Sequence, residues 1–205
     1  DRAAGLIAEA CEQASRDCSA TPPRIVYSTT SNGDVRIRIA EALEAQLEPL
    51  GFEVALELED SQLFFGDTLD IGTWDMGMWA WVASPGAAGA VAMLDLFDPD
   101  APPPEGSNYY RWGTHDSALA DDEAVQRYRA LLAEIRQTVD RDRAFELGVE
   151  MERLLADEAV IIPLYNRLVA TAHWADEIAG IVANPTQAGS TWNIETWHRV
   201  GEAGS

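Results

Sequence analysis

Lysine is absent from this chain: all 14 basic residues are arginine, set against 35 aspartates and glutamates, for a net charge of −21. Without lysine neither a phosphate-gripping P-loop nor a Schiff-base mechanism can be built. So acidic a chain has no general electrostatic attraction for nucleic acid or any other polyphosphate. Histidine is scarce too. His115, His173 and His198 lie far apart and in no metal-ligand or catalytic-triad spacing. No Gly-x-Ser-x-Gly nucleophile elbow occurs, and no apolar run approaches the roughly 20 residues that cross a bilayer. Asp67, Asp70 and Asp75, and again Asp95, Asp98 and Asp100, are clustered as in calcium loops, yet neither set has the spacing or the terminal glutamate of one. No metal, cofactor or catalytic residue is expected. The chain opens on Asp1-Arg2-Ala3-Ala4 with neither an initiator methionine nor a signal peptide. That start reads as a cut end, so missing targeting information says nothing of compartment.

What is present is a globular composition, 47% hydrophobic and 24% charged over 205 residues, enough for one large domain or one and a half small ones. Leu6, Ile7, Ala10, Cys11 and Ala14 predict a helix, and Arg24 to Ser28 a short strand. Asp34 reads as the cap of a helix carrying Ile39, Leu43, Leu47 and Leu50 on one stripe, with Gly51 as its stop. Phe52, Val54, Leu56 and Leu58 alternate with polar or small residues, the pattern of a half-exposed strand. A strand-helix-strand unit of this length favours parallel pairing with a right-handed crossover, and Ile25, Val54 and Met76 are expected in one sheet. A short helix is expected from Asp60-Ser61, a third strand from Trp74 to Val82, and a helix of small residues from Gly86 to Phe97. Asp98 to Gly106, rich in proline, must be an irregular loop. Two amphipathic helices follow, one through Val125, Tyr128, Leu131, Leu132, Ile135 and Val139, the other through Ala144, Leu147, Met151, Leu154 and Leu155. Strands are expected over Val160 to Tyr165 and Leu168 to His173, and short extended pieces over Ile178 to Val182 and Thr191 to Trp197.

The most distinctive segment is Trp74-Asp75-Met76-Gly77-Met78-Trp79-Ala80-Trp81. Strand alternation puts Trp74 and Met76 on one face, Trp79 and Trp81 on the other. Three indoles, each of roughly 150–250 Å², either fill core or offer a ligand an aromatic wall. The residues alone leave both readings open.

The order of these features resembles the C-terminal half of the extracellular solute-binding proteins of family 5, the oligopeptide-, dipeptide- and nickel-binding receptors of ABC importers. The resemblance is carried by Arg36 to Leu43 followed by Pro49-Leu50-Gly51-Phe52-Glu53-Val54; by Trp74-Asp75-Met76 with Trp81; by Asn108-Tyr109-Tyr110-Arg111-Trp112; and by the paired helices leading to Ile161-Ile162-Pro163-Leu164-Tyr165. It runs in the right order from about residue 4 to residue 197. It implies an α/β class II periplasmic-binding-protein lobe, a mixed sheet flanked by helices, that closes hinge-like on a ligand. Residues 1–165 would form the C-terminal ligand-binding lobe, and 166–205 the hinge and a return segment belonging partly to an N-terminal lobe outside this chain. The implied partners are a peptide or other small solute and ABC permease subunits. The implied location is extracytoplasmic, periplasmic or at the cell surface, with a lipid anchor in the full-length protein.

The expected ligand-binding residues are Trp79, Trp81 and Ser84, because ligands of open α/β sheets sit beyond the carboxyl ends of the strands, and Asn108, in one of the stretches that carry the resemblance. One departure matters. Peptide-binding members of that family tend to carry an aspartate shortly after the Trp81 position, and here Ser84 stands about there. A hydroxyl does not replace a carboxylate beside a buried ammonium, so a sugar or an apolar ring suits the aromatic pair as well as a peptide does. Cys11 and Cys18 read from spacing alone as two free thiols or a local disulfide; the compartment implied by the resemblance favours the bond. Two rival classes stand beside the receptor: a hydrolase using paired acidic residues, and an interaction domain whose tail docks another chain.

Overall fold

The structure is a computed structural model that describes residues 2–82, 87–165, 172–184 and 189–201, with the side chains of 87–90 not described. The chain divides into two compact units, Asp1–Trp81 and Val82–Ser205.

The first unit is built on a parallel sheet. Helix α1 (Arg2–Gln13) leads to β1 (Arg24–Thr30), α2 (Asp34–Leu47) and β2 (Glu53–Glu59). A continuous helical stretch follows: α3 (Ser61–Leu63), a π-turn (Phe64–Thr68) and α4 (Leu69–Ile71). Strand β3 (Met76–Met78) closes the unit. The strand order is β2-β1-β3, with Ile25 opposite Val54, Tyr27 opposite Leu56 and Met76, and all pairs parallel. Ile25, Val54 and Met76 thus do share one sheet. Its core gathers Tyr27, Ala40 and Met78, with Ile39, Leu43, Val54, Leu56 and Met76 packed around them. Gly33, not Asp34, is the N-cap of α2; Asp34 falls in the first turn, where its negative charge suits the helix dipole. Gly51 ends the short 3-10 turn after α2 with φ 93°, the left-handed geometry glycine adopts without cost.

Strand β3 is much shorter than the alternation over Trp74 to Val82 suggests. Its pairing stops where Met78 meets Thr29, one residue before β1 itself ends. Residues 79–82 continue outside the strand. At the other end Asp75 extends the pairing by one step: its N–H donates to Val26 O (3.0 Å), and its Oδ2 accepts from Val26 N (2.8 Å).

The second unit is helical. Helix α5 (Ala87–Leu94) continues as a 3-10 turn (Asp95–Phe97), and α6 (Glu123–Ile135) and α7 (Arg141–Asp157) are the amphipathic pair. Each of the pair starts on an aspartate cap: Asp122 accepts from Ala124 N, and Asp140 from both Asp142 N and Arg143 N. The core joins Leu94, Phe97, Trp112, Val125, Tyr128, Leu131, Leu132, Ile135, Leu147, Met151 and Leu155. The proline-rich loop after Phe97 contains no helix or strand, as expected.

Beyond α7 the sequence reading needs correction. Val160 to Tyr165 forms no strand. Val160 and Ile161 pack against the core, but Ile162, Leu164 and Tyr165 are exposed. An apolar run bounded by proline reads as a strand only if a sheet edge is there to receive it. Of the strand expected over Leu168 to His173, residues 168–171 lie outside the described residues, and Ala172 and His173 belong to no element. The extended piece expected over Thr191 to Trp197 is instead a turn and a 3-10 helix, Ile194–Thr196. A two-residue antiparallel ladder joins β4 (Ile178–Ala179) to β5 (His198–Arg199).

Candidate functional site

The carboxyl ends of the three parallel strands, at Thr30, Glu59 and Met78, form one rim of the first unit. Polar side chains tie it together. Ser31 donates through N and Oγ to Glu59 O (2.7 and 2.9 Å). Thr30 Oγ1 donates to Asn32 Oδ1 (2.8 Å) and accepts from the Arg36 guanidinium. Asn32 Nδ2 reaches Ser61 Oγ (2.6 Å), and Thr68 Oγ1 donates to Glu59 Oε2 (2.6 Å). Ser28, Thr29 and Thr30 are fully enclosed, and Thr29 Oγ1 bonds Met78 O (2.6 Å), which fixes the point where β3 ends.

From that point the chain enters an aromatic array. Trp79 meets Trp74 (ring centroids 5.4 Å, interplanar 80°), Trp81 (6.4 Å, 76°) and Phe64 (6.1 Å, 59°), and Phe64 meets Phe65 (5.1 Å, 84°). Edge-to-face packing of this kind is favoured by the ring quadrupoles. Trp79 and Trp81 are neighbours, as alternation suggests. Trp74 is not on the opposite side from Trp79: once the chain leaves the ladder at Met78, the period of two no longer governs, and Trp79 turns back onto Trp74. A Cβ on Gly77 would lie 2.7 Å from the Trp79 ring and 3.3 Å from that of Trp74, so glycine is what lets the two indoles close over β3. Along the array burial falls away, from Phe64 at 0% exposed to Trp81 at 37%.

The remaining sequence-derived candidates fall elsewhere. Ser84 lies outside the described residues. Asn108, in the second unit, is fully enclosed; its Nδ2 donates to Asp98 O and Trp112 O (both 3.1 Å), and its N–H to Ala101 O (2.9 Å). It is a tie for the proline-rich loop rather than a surface group. Around it Asp98 accepts from Arg136 (2.8 Å) and caps Asp100 N (2.9 Å). Tyr128 donates to Leu94 O (2.7 Å), and burial first, then the Asp95 and Asp98 charges, push its hydroxyl pKa well above the ordinary value. Cys11 and Cys18 are joined as a disulfide. Among the described residues no group of three or more His, Cys, Asp or Glu is placed to hold a metal, and no helix is long and apolar enough to cross a membrane. Sequence reasoning missed Phe64 and Gly77. A glycine inside a strand flanked by tryptophans was the available signal for close approach; Phe64 gave none, because its helix is interrupted by the π-turn.

A three-stranded parallel sheet with crossover helices, and an aromatic array beyond its carboxyl ends, makes the first unit an α/β fold. NikZ from Campylobacter jejuni, solved in complex with Ni(L-His), superposes with a TM-score of 0.55 at 16% identity over 85% of this chain and 33% of its own. NikA from Brucella suis, solved in complex with Fe(III)-EDTA, gives 0.51 at 18% identity over 68% of this chain and 25% of its own. The chain therefore spans a quarter to a third of the length of these neighbours, and the likeness is one of fold. No family profile and no curated protein matches the sequence.

Proposed function

We propose that the chain is the ligand-binding part of an ABC-importer solute receptor, and that it binds rather than transforms a small organic solute. The observation that carries this reading is the half-exposed aromatic array beyond the carboxyl ends of a parallel sheet, where open α/β folds place their ligands. The fold likeness to two proteins solved with small metal complexes, Fe(III)-EDTA and Ni(L-His), supports it. In this reading Trp81 and Trp79 form one wall of a cleft, with Ser84 beside them, and Asn108 contributes only by holding the loop to which it belongs. Residues 1–165 act as one lobe of a longer, two-lobed, extracytoplasmic and lipid-anchored receptor, 166–205 return toward the other lobe, and permease subunits in the membrane receive the solute.

Binding by one lobe is expected to be weak, so the test is a titration at millimolar solute, followed by tryptophan fluorescence, with a panel of peptides, sugars and metal chelates. At least one class should saturate. Trp81→Ala should then lose about 2 kcal/mol of affinity, as truncated aromatic anchors do. Unchanged affinity in a folded Trp81→Ala protein would remove the site. A hydrolysed product in place of bound solute would favour the rival reading of paired acids.

A further inference from the structure

We propose that Asn32 is a site of spontaneous covalent modification: its side-chain amide closes on the main chain of Gly33 and is lost as ammonia, leaving aspartate or isoaspartate at the strand-end rim. The inference is independent of what the chain binds. Five asparagines occur, at 32, 108, 166, 184 and 193, and Asn32 alone is followed by glycine. The attacking atom in such a closure is the main-chain nitrogen of the next residue, and a side chain on that residue stands in its way. Glycine brings none. Asn184 precedes a proline, whose nitrogen has no proton to lose. Asn108 and Asn193, followed by Tyr109 and Ile194, are buried. Their amide nitrogens are each held by two acceptors, Asp98 O and Trp112 O for Asn108, Gly180 O and Thr196 Oγ1 for Asn193.

Asn32 is exposed, in the turn between β1 and α2. Gly33, the N-cap of α2, gives its carbonyl to Arg36 N (2.9 Å) and Ile37 N (3.2 Å), while its own N–H has no main-chain acceptor among the described residues. The electrophile is prepared as well. Thr30 Oγ1 donates to Asn32 Oδ1 (2.8 Å), which draws electron density from Cγ. Thr30 in turn accepts from the Arg36 guanidinium, and that charge strengthens the donation. The amide nitrogen is tied to Ser61 Oγ (2.6 Å) in an exposed bond. This bond is the brake, because Cγ has to turn toward Gly33 N before it can be attacked. In the reaction Gly33 N gives up its proton and bonds Asn32 Cγ. The Cγ–Nδ2 bond breaks, and the nitrogen leaves as ammonia with that proton. Water then opens the ring. Opening at Cγ gives aspartate just ahead of the α2 cap, where a negative charge suits the helix dipole. Opening at the Asn32 main-chain carbonyl gives isoaspartate, which routes the backbone through Cβ and lengthens the link from β1 to α2.

The test ages the intact folded chain at body temperature, at neutral and at mildly alkaline pH, and maps it by tryptic digestion under mildly acidic conditions. The peptide Ile25–Arg36 carries the site, and electron-transfer fragmentation tells aspartate from isoaspartate. Over days the amide-to-acid mass gain is expected in this peptide, as both products, while the peptides of Asn108 and Asn193 stay unchanged. It should be faster at the higher pH, because Gly33 N has to shed a proton. Gly33→Ala should nearly abolish it; a Cβ there has nothing within 4 Å and φ is −157°, so the variant can keep the fold. Ser61→Ala should speed it by about 2–10-fold, the factor that one hydrogen bond supplies. An unchanged Asn32 in the aged, folded chain overturns the proposal, and conversion of the same chain in urea would then place the protection in the fold. Conversion of Gly33→Ala as fast as the parent overturns it too, since the main-chain nitrogen would not be the nucleophile.

Discussion

The space above Gly77 is already taken by two indoles, so this residue tests whether the array is a packed unit. A methyl there would stand 2.7 Å from the Trp79 ring, inside any real carbon contact, and overpacking of that kind costs about 1–3 kcal/mol. Gly77→Ala should destabilise the first unit by that amount and shift the tryptophan emission; an unchanged emission with unchanged stability would mean that Trp79 is free to swing away. Tyr27 carries a different prediction. It is 2% exposed, its hydroxyl has no hydrogen-bond partner among the described residues, and burial pushes its pKa up from 10.0 to about 12. A folded-state value above the unfolded one means that the neutral form is what the fold accepts. Stability from this group is whole below pH 10, then is lost as pH rises toward about 12. Tyr27→Phe should keep stability at neutral pH, because no bond is given up, and flatten this part of the alkaline loss in urea titrations run from neutral to high pH. An alkaline profile identical to that of the parent would show that the Tyr27 hydroxyl is not the titrating group.

Helix α1 is held by little burial. None of its residues is buried. Its attachment after Gln13 rests on the Cys11–Cys18 disulfide and on the Arg16 guanidinium donating to Thr21 O (3.3 Å) and Pro22 O (3.2 Å). A bond closing so short a loop stabilises by about 2–3 kcal/mol in the chain-entropy picture, and here that contribution falls on a helix outside the core. Reduction should therefore speed hydrogen exchange in α1 and tryptic cleavage at Arg16 while leaving the exchange of β1 and α6 as it was. Equal exchange in α1 before and after reduction would argue against the bond in the protein as made. Legibility follows the same division. α2, α6 and α7 could be read from the sequence because each turns one regular stripe inward, so period and structure coincide; β2 keeps its alternation only in part, since Leu58 is exposed. β3 could not be read, because its pairing ends at Met78, where Thr29, 49 positions away, bonds its carbonyl. The segment after α7 could not either: Ile162, Leu164 and Tyr165 are apolar enough for a strand yet exposed, and no local pattern says whether a partner strand exists. Of the candidate site, the nearness of Trp79 to Trp81 was legible. The place of Phe64 was not, since it meets Trp79 only through the fold.

Over the whole molecule the excess of acid sets the response to salt. The ion pairs among the described residues are surface features: Arg24 with Glu53, Arg127 with Glu150, Arg129 with Asp100, Arg136 with Asp95 and Asp98, Arg143 with Glu134 and Glu146. Asp98, whose side chain is 10% exposed, is the most enclosed acid among them. Exposed pairs contribute about 0–1 kcal/mol each, and salt weakens them. Pairing cannot cancel the rest, since 14 arginines face 35 acids, and the surplus charge repels itself throughout the folded chain. The two effects have opposite salt dependence. Raising salt from about 0.01 M to about 0.5 M shortens the screening length from roughly 30 Å to less than 10 Å. That removes repulsion between acids scattered over the whole surface, while the close contact pairs lose little. The melting temperature in calorimetry should rise, by about 2–4 °C for each kcal/mol of repulsion relieved in a chain of this size. A melting temperature that falls with sodium chloride would mean that the arginine pairs outweigh the repulsion.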